Sequence, residues 1–215
     1  MQTQAKPLMV VIAGANGSGK TSITESLLRH QWLAGCEYIN PDNIARDVFG
    51  DWNSKEASIS AANLSDKLRD QYIAERKSFA FETVMSSQGK LDVIRKAKDA
   101  GYFIRVFFIG TDSPTINAAR IAARVMQGGH EVPIGKIISR YAKSSVNCIE
   151  ALKMADKGYV YDNSVDGKDF RLIFKSENGE IAKFYSDVNP WALNIANDLP
   201  LKSDEALPVI SQIQP

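Results

Sequence analysis

The stretch Leu8-Met9-Val10-Val11-Ile12-Ala13-Gly14-Ala15-Asn16-Gly17-Ser18-Gly19-Lys20-Thr21 decides how this chain folds. An unbroken apolar run, Leu8 to Ala13, fits a strand buried on both faces of a parallel sheet. It ends at Gly14, and Gly14-x-x-x-x-Gly19-Lys20-Thr21 then opens a helical pattern from Ser18 to His30, with Ile23, Leu27 and Leu28 on one face. Strand, glycine-rich turn and helix in that order make a phosphate-binding loop. The glycines let successive backbone N–H groups turn inward toward phosphate oxygens, and the positive end of the helix faces the same anion. The residues that would hold the nucleotide are Gly14, Ala15, Asn16, Gly17, Ser18, Gly19, Lys20, Thr21 and Ser22. Lys20 reaches the outer phosphates, and the Thr21 hydroxyl is placed to ligate Mg²⁺.

Working outward, strands and helices alternate. Strand patterns stand at Glu37–Asn40, Ser78–Thr83, Tyr102–Ile109 and Tyr159–Tyr161. Helical patterns run over about 55–77, over 88–100 with Gly101 as the stop, and over 113–127 and 134–155. The expected fold is therefore α/β: a P-loop kinase-like parallel sheet with helices on both faces. Residues 113–155 read as a helical lid interrupted by Gly128-Gly129. The tail, about 168–200, reads as a C-terminal β-hairpin turning at Asn178-Gly179, then a short helix from Asn189-Pro190-Trp191. A chain of 215 residues fits a single kinase domain over 1–215.

Composition excludes several classes. The 26 basic and 25 acidic residues leave a formal charge of +1, which disfavours a nucleic-acid footprint. No apolar run is long enough to span a bilayer. Cys36 and Cys148 show no disulfide or metal spacing, and Met1 to Lys6 has no secretory pattern, so a cytoplasmic location is expected.

Four later segments carry further chemistry. Asn40-Pro41-Asp42-Asn43 follows the second strand, at the edge where open α/β sheets bind ligands. Asp42 there is a base for an attacking hydroxyl, a partner for Mg²⁺, or a cap on the next helix. Glu82, after Phe79-Ala80-Phe81, is either a contact for a substrate hydroxyl or metal-bound water, or a structural carboxylate paired with an arginine. Arg120, Arg124 and Arg140 flank Gly128-Gly129-His130-Glu131 and suit a transferring phosphoryl group. His130 reads as part of the hinge and His30 as a helix-end group. Tyr161-Asp162-Asn163-Ser164 either shapes the base pocket, caps the lid or forms an Asx turn.

Taken in order, Gly14 to Thr21, Asn40-Pro41-Asp42, Phe81-Glu82-Thr83, Arg124-Val125-Met126-Gln127-Gly128-Gly129-His130-Glu131-Val132-Pro133, Ser139-Arg140-Tyr141 and Tyr161 to Ser164 resemble the zeta-toxin family of P-loop kinases. The resemblance spans roughly 8–164, and its family-specific part is the Gly-Gly-His-x-Val-Pro segment followed by Arg140-Tyr141. Better-known members use ATP and Mg²⁺ to phosphorylate a sugar hydroxyl of UDP-N-acetylglucosamine, and an antitoxin blocks their nucleotide site. The resemblance implies catalytic roles for Lys20, Asp42, Arg124 and Arg140, with Arg120 as a further candidate on the nucleotide. It implies acceptor contacts from Glu82, Thr83 and Asn40, Mg²⁺ on Thr21, and a small hydroxyl substrate. This chain is shorter than many of the family's toxins. A nucleotide-dependent switch module and a kinase acting on a nucleic-acid end are the competing readings.

Overall fold

The computed structural model of the protein describes residues 5–28, 33, 35–50, 54–127 and 132–202, excepting the side chains of 26–28. Seven strands form one sheet in the order β2-β3-β1-β4-β5-β6-β7. They are β1 (Leu8–Ala13), β2 (Glu37–Ile39), β3 (Phe79–Thr83), β4 (Phe103–Gly110), β5 (Lys157–Asp162), β6 (Arg171–Glu177) and β7 (Glu180–Phe184). The first five pair in parallel, and β6 and β7 add antiparallel at the β5 edge. β1 lies between β3 and β4, so the chain leaves it toward one edge and returns on the other side. That reversal opens a crevice at the carboxyl end of β1, where ligands of doubly wound sheets sit.

The apolar run of β1 is buried on both sides because each face has its own cover. Met9, Val11 and Ala13 join Phe79, Phe81, Val106 and Phe108 under α4 (Gln88–Asp99), the second half of α6 (Ile134–Met154) and α7 (Pro190–Asn197). Val10 and Ile12 face the opposite way, with Ala80, Phe107, Ile109 and Ile23 of α1 (Lys20–Leu28). Helices cover both faces, as expected. Among the described residues no helix is long and apolar enough to cross a membrane.

Two elements differ from the sequence reading. Asn40, read as the end of the second strand, is instead the N-cap of α2 (Pro41–Phe49), which Pro41 begins. Proline suits the first helical turn because its missing N–H would have no intrahelical partner there. The stretch from 134 to 155 is also not uniformly lid-like. From Ser144 onward α6 is core, with Cys148, Ala151 and Leu152 fully buried. The tail hairpin turns at Asn178 and Gly179, both at positive φ, and extends the main sheet.

Candidate active site

The loop Gly14–Gly19 is held in a narrow space. A Cβ on Gly17 would lie 2.6 Å from the Asn117 carbonyl oxygen, and one on Gly19 would lie 2.3 Å from Asn163 Nδ2. Both residues sit at positive φ, so glycine is required twice over. Two asparagines brace the loop from outside it. Asn117, on α5 (Pro114–Met126), donates to the Asn16 carbonyl at 2.6 Å. Asn163, just beyond β5, donates to the Ser18 carbonyl at 2.8 Å. The first-turn N–H groups of α1 have no intrahelical acceptor, which leaves the loop with an anion-attracting end.

A cleft of about 1080 Å³ opens over this loop. Lys20, Thr21, Ser22, Asp42, Glu82, Arg120, Arg124 and Arg140 all line it, so the structure brings together side chains from α1, α2, β3, α5 and α6. Lys20 Nζ donates to the Ala15 carbonyl at 3.0 Å. Burial pushes its ammonium down to about 8; Glu82 and Asp42 oppose that shift, whereas Arg124 and Arg140 reinforce it. Those four charges are therefore the immediate electrostatic surroundings of Lys20. Thr21 and Ser22 are exposed at the helix start. Ser18 is fully buried, and its Oγ has no hydrogen-bond partner among the described residues.

The three arginines are not equivalent. Arg140 donates to Asn16 Oδ1 at 3.2 Å. Arg124 is exposed, and its charge acts on Lys20. Arg120 is engaged by Asp166, at 2.7 Å through Nε, and reaches the Gly17 carbonyl at 3.5 Å. Gly128 to Glu131, read as the hinge, and His30 lie outside the described residues.

Glu82 is fixed by a phenol rather than by an arginine. Tyr38 Oη donates to Glu82 Oε1 at 2.7 Å and accepts from Asn40 Nδ2 at 2.9 Å. Burial and the Glu82 charge both raise the Tyr38 pKa, so the phenol stays a donor. Asn40 is thereby committed at both ends, because its Oδ1 also accepts the Asp42 N–H at 2.8 Å. Thr83 is buried, with its Oγ1 accepting from the Met85 N–H at 3.0 Å. Asp42 stands in the first turn of α2 with Asn40, not Asp42, as the cap. Tyr38 escaped the sequence reading, although its alternation with buried Ile39 placed it on the other face of β2.

The segment Tyr161-Asp162-Asn163-Ser164 serves the loop from behind. Besides the Asn163 brace, Asp162 is buried, accepts from Ser164 Oγ at 2.5 Å and pairs with Arg171 at 3.3 Å. The donor set suits a nucleotide with Mg²⁺: a helix N-terminus and cations for phosphate, and the Thr21 hydroxyl for the metal. Among the described residues no cluster of three metal-ligating side chains exists. Mg²⁺ in phosphoryl-transfer sites is commonly held by few protein ligands together with phosphates and water.

Comparisons with known proteins bear on the family and the fold. A family model described as Zeta toxin matches residues 1–166. An uncharacterized protein of Haemophilus influenzae is 28% identical over 132 residues, which are 61% of this chain and 91% of that protein. A chain from the PezAT chromosomal toxin-antitoxin system of Streptococcus pneumoniae superposes with a TM-score of 0.63 at 14% identity, covering 93% of this chain and 80% of that one. A chain of the AvrRxo1-ORF1:-ORF2 complex with ATP gives a TM-score of 0.67 at 16% identity, covering 94% and 67%. The phosphate loop and this match over most of the chain carry one conclusion: the chain belongs to the zeta-toxin family of P-loop kinases.

Proposed function

We propose that this protein transfers the γ-phosphoryl group of ATP to a hydroxyl of a small metabolite, with UDP-N-acetylglucosamine as the first acceptor to test. The observation that carries the reading is the convergence of Lys20, Asp42, Glu82, Arg124 and Arg140 in one cleft above the phosphate loop. A protein that only bound nucleotide would not need two carboxylates beside the phosphate site. In this reading the loop N–H groups and Lys20 hold the phosphates. Arg124 and Arg140 face the charge that spreads over the transferring group. Asp42 takes the proton of the attacking hydroxyl. Glu82, held by Tyr38, orients the acceptor. Mg²⁺ would rest on Thr21 and neutralise phosphate charge when bound. The resemblance to a toxin–antitoxin chain makes a protein that covers this cleft a natural partner.

The test is transfer of labelled γ-phosphate from ATP with Mg²⁺, using UDP-N-acetylglucosamine and, separately, a pool of cell metabolites. Label on UDP-N-acetylglucosamine that disappears in Asp42→Asn supports both chemistry and acceptor. Label on another compound alone keeps the kinase and discards that acceptor. ATP binding with no labelled product in either mixture refutes the phosphotransfer reading.

A further inference from the structure

Glu82, Thr83, Val84, Met85, Ser86 and Ser87 line the cleft in one unbroken run, from the end of β3 to the N-cap of α4. They form its wall on the side of Glu82, and Ser58 and Ala62 of α3 (Lys55–Glu75) line the cleft with them. The backbone of this wall departs from the usual at Met85, where φ is 55°. That conformation favours glycine, because a Cβ crowds the neighbouring carbonyl there. Glycine would leave a gap, however. The Met85 side chain is fully buried in the core cluster that holds Phe81, Leu91 and Ile94. A large side chain in a left-handed turn persists only where its surroundings over-determine it. Two other side chains do so here. Thr83 Oγ1 accepts the Met85 N–H at 3.0 Å, and Asn147 Nδ2 donates to the Met85 carbonyl at 2.8 Å. Thr83 belongs to the wall itself, so Asn147 is the anchor from outside it.

The position of Asn147 on α6 makes that anchor firm. α6 starts as an exposed helix, from which Arg140 reaches Asn16 of the phosphate loop. Asn147 lies seven residues later, which is two turns and about 10 Å along the same face. By then the helix is embedded: Ser144, Cys148, Ala151 and Leu152 are fully buried around it. Tyr141 adds a tie between the two, donating through Oη to the Thr111 carbonyl at 2.5 Å. One helix therefore touches both sides of the site. Its exposed half meets the phosphate loop, and its core half holds the wall. Without the Asn147 donor, the Met85 carbonyl loses its partner and φ can relax toward negative values. Ser86 and Ser87 would move with it, because they follow directly in the chain.

We propose that Asn147 is a positioning residue, which fixes the wall 82–87 in the shape that receives the acceptor before any acceptor arrives. The inference rests on the reading of this cleft as the place of phosphoryl transfer. Asn147 does not itself line the cleft; it acts through the Met85 carbonyl. Because the anchor sits in the core half of α6, the wall keeps its shape whether or not the nucleotide is bound. Preorganisation of this kind lowers the ordering cost of binding the acceptor and leaves the affinity for ATP alone.

Hydrogen exchange on the full chain tests it, read over 83–87, where Thr83 holds the Met85 N–H, and over 8–21 as the reference. The variants are Asn147→Ala and Asn147→Leu, the second keeping the volume without the donor. Both should speed exchange at 83–87 by about tenfold, leave 8–21 as it was, and keep the affinity for a non-hydrolysable ATP analogue. Lys153→Ala, which loses only an exposed pair with Glu150 on the same helix, should match the wild type. In the labelled-transfer assay, KM should rise by about tenfold for the compound that takes the label, with KM for ATP unchanged. Unchanged exchange at 83–87 in both variants overturns the anchor. Faster exchange over 83–87 and 8–21 alike, with weaker analogue binding, makes Asn147 a general support of the fold and overturns the proposal too. Local loosening with an unchanged acceptor KM overturns the positioning role. If neither UDP-N-acetylglucosamine nor the metabolite pool takes label, the function proposed above fails, and exchange at 83–87 alone decides whether Asn147 fixes this wall.

Discussion

Lys20 is the strongest handle on the energetics, because the free protein holds it in a state that a phosphate would reverse. Its ammonium falls from the ordinary 10.5 to about 8, chiefly through burial. That drop corresponds to at most about 3 kcal/mol against the charged form at pH 7, since the side chain keeps some solvent contact. The sign follows from proton linkage. Between pH 8 and 10.5 the unfolded chain binds more protons at this residue than the folded one, so stability rises with pH through that window. Lys20→Met removes the charge and the 3.0 Å bond to the Ala15 carbonyl, a loss of about 1 kcal/mol. The Ala15 oxygen still accepts from the Ser18 N–H at 3.2 Å, so no orphan acceptor is created. The variant should therefore be more stable than the wild type at pH 7 by about 2 kcal/mol, or roughly 4–8 °C in Tm. Urea melts of both proteins at pH 7, 8, 9 and 10 measure the gap, and other titrations cancel in the difference. The gap should narrow above pH 8 and reverse near pH 10. With ATP present the order should invert at pH 7, because only the wild type gains from the ligand. A gap that does not change with pH, or a variant less stable at pH 7, refutes the account of Lys20 as a desolvated cation.

Other substitutions probe the remaining parts of the cleft. Asp42→Asn should retain ATP binding while labelled transfer falls by about 10²–10⁴-fold, the usual range for a lost general base; wild-type turnover in this variant would remove Asp42 from that role. Tyr38→Phe deletes the donor that fixes Glu82, and a stability loss of about 1–2 kcal/mol is expected by chemical denaturation, with a higher acceptor KM at little change in ATP affinity. Asn163→Ala removes the brace on the Ser18 carbonyl, so ATP affinity should fall several-fold in an equilibrium titration while the far-UV circular dichroism spectrum stays unchanged.

How much of this could be read from the chain depended on whether a feature is local. Leu8 to Thr21 carried the strand, the loop and the helix start because all three are written in consecutive residues. The Asn178-Gly179 turn was legible for the same reason. The helix after the second strand was read with Asp42 as a candidate cap, whereas it begins at Pro41 with Asn40 as the N-cap, because proline fits the first helical turn. Asp42 and Glu82 could be placed at the ligand edge from sheet logic, and Arg124 and Arg140 were marked by their place around Gly128-Gly129, but the fixing of Glu82 by Tyr38 depends on the register that sets Tyr38 opposite Ala80. Asn147 was illegible. It sits in a stretch that reads as lid, and only the folding of the second half of α6 into the core brings its amide to the Met85 carbonyl. Asp162 and Asn163 fell between: the sequence marked the segment, but its work as a brace behind the loop needs β4 and the tail in place.

The tail past residue 166 lies outside the family match, yet it reaches the phosphate loop through a short chain of contacts. A Cβ on Gly110 would lie 2.2 Å from the Trp191 ring, so α7 seats its indole directly on the end of β4. The Gly110 carbonyl accepts the Asn163 N–H at 2.9 Å, and Asn163 in turn holds the Ser18 carbonyl. Trp191 Nε1 also donates to Asp162 at 3.2 Å, one residue before that brace. If the tail were only a cover for the sheet, Trp191→Ala would cost the about 3–5 kcal/mol of a large buried truncation and nothing more. If it also sets the loop, the β4 and β5 ends should relax together and ATP affinity should fall even far below the melting temperature. Trp191→Phe separates the two, since it keeps most of the ring volume and loses the bond to Asp162. Weaker ATP binding in Trp191→Phe, measured at a temperature where both proteins are fully folded, would show that the tail positions the nucleotide site. Wild-type affinity in both Trp191 variants would confine the tail to stability, because a loop indifferent to its brace needs no tail to hold it.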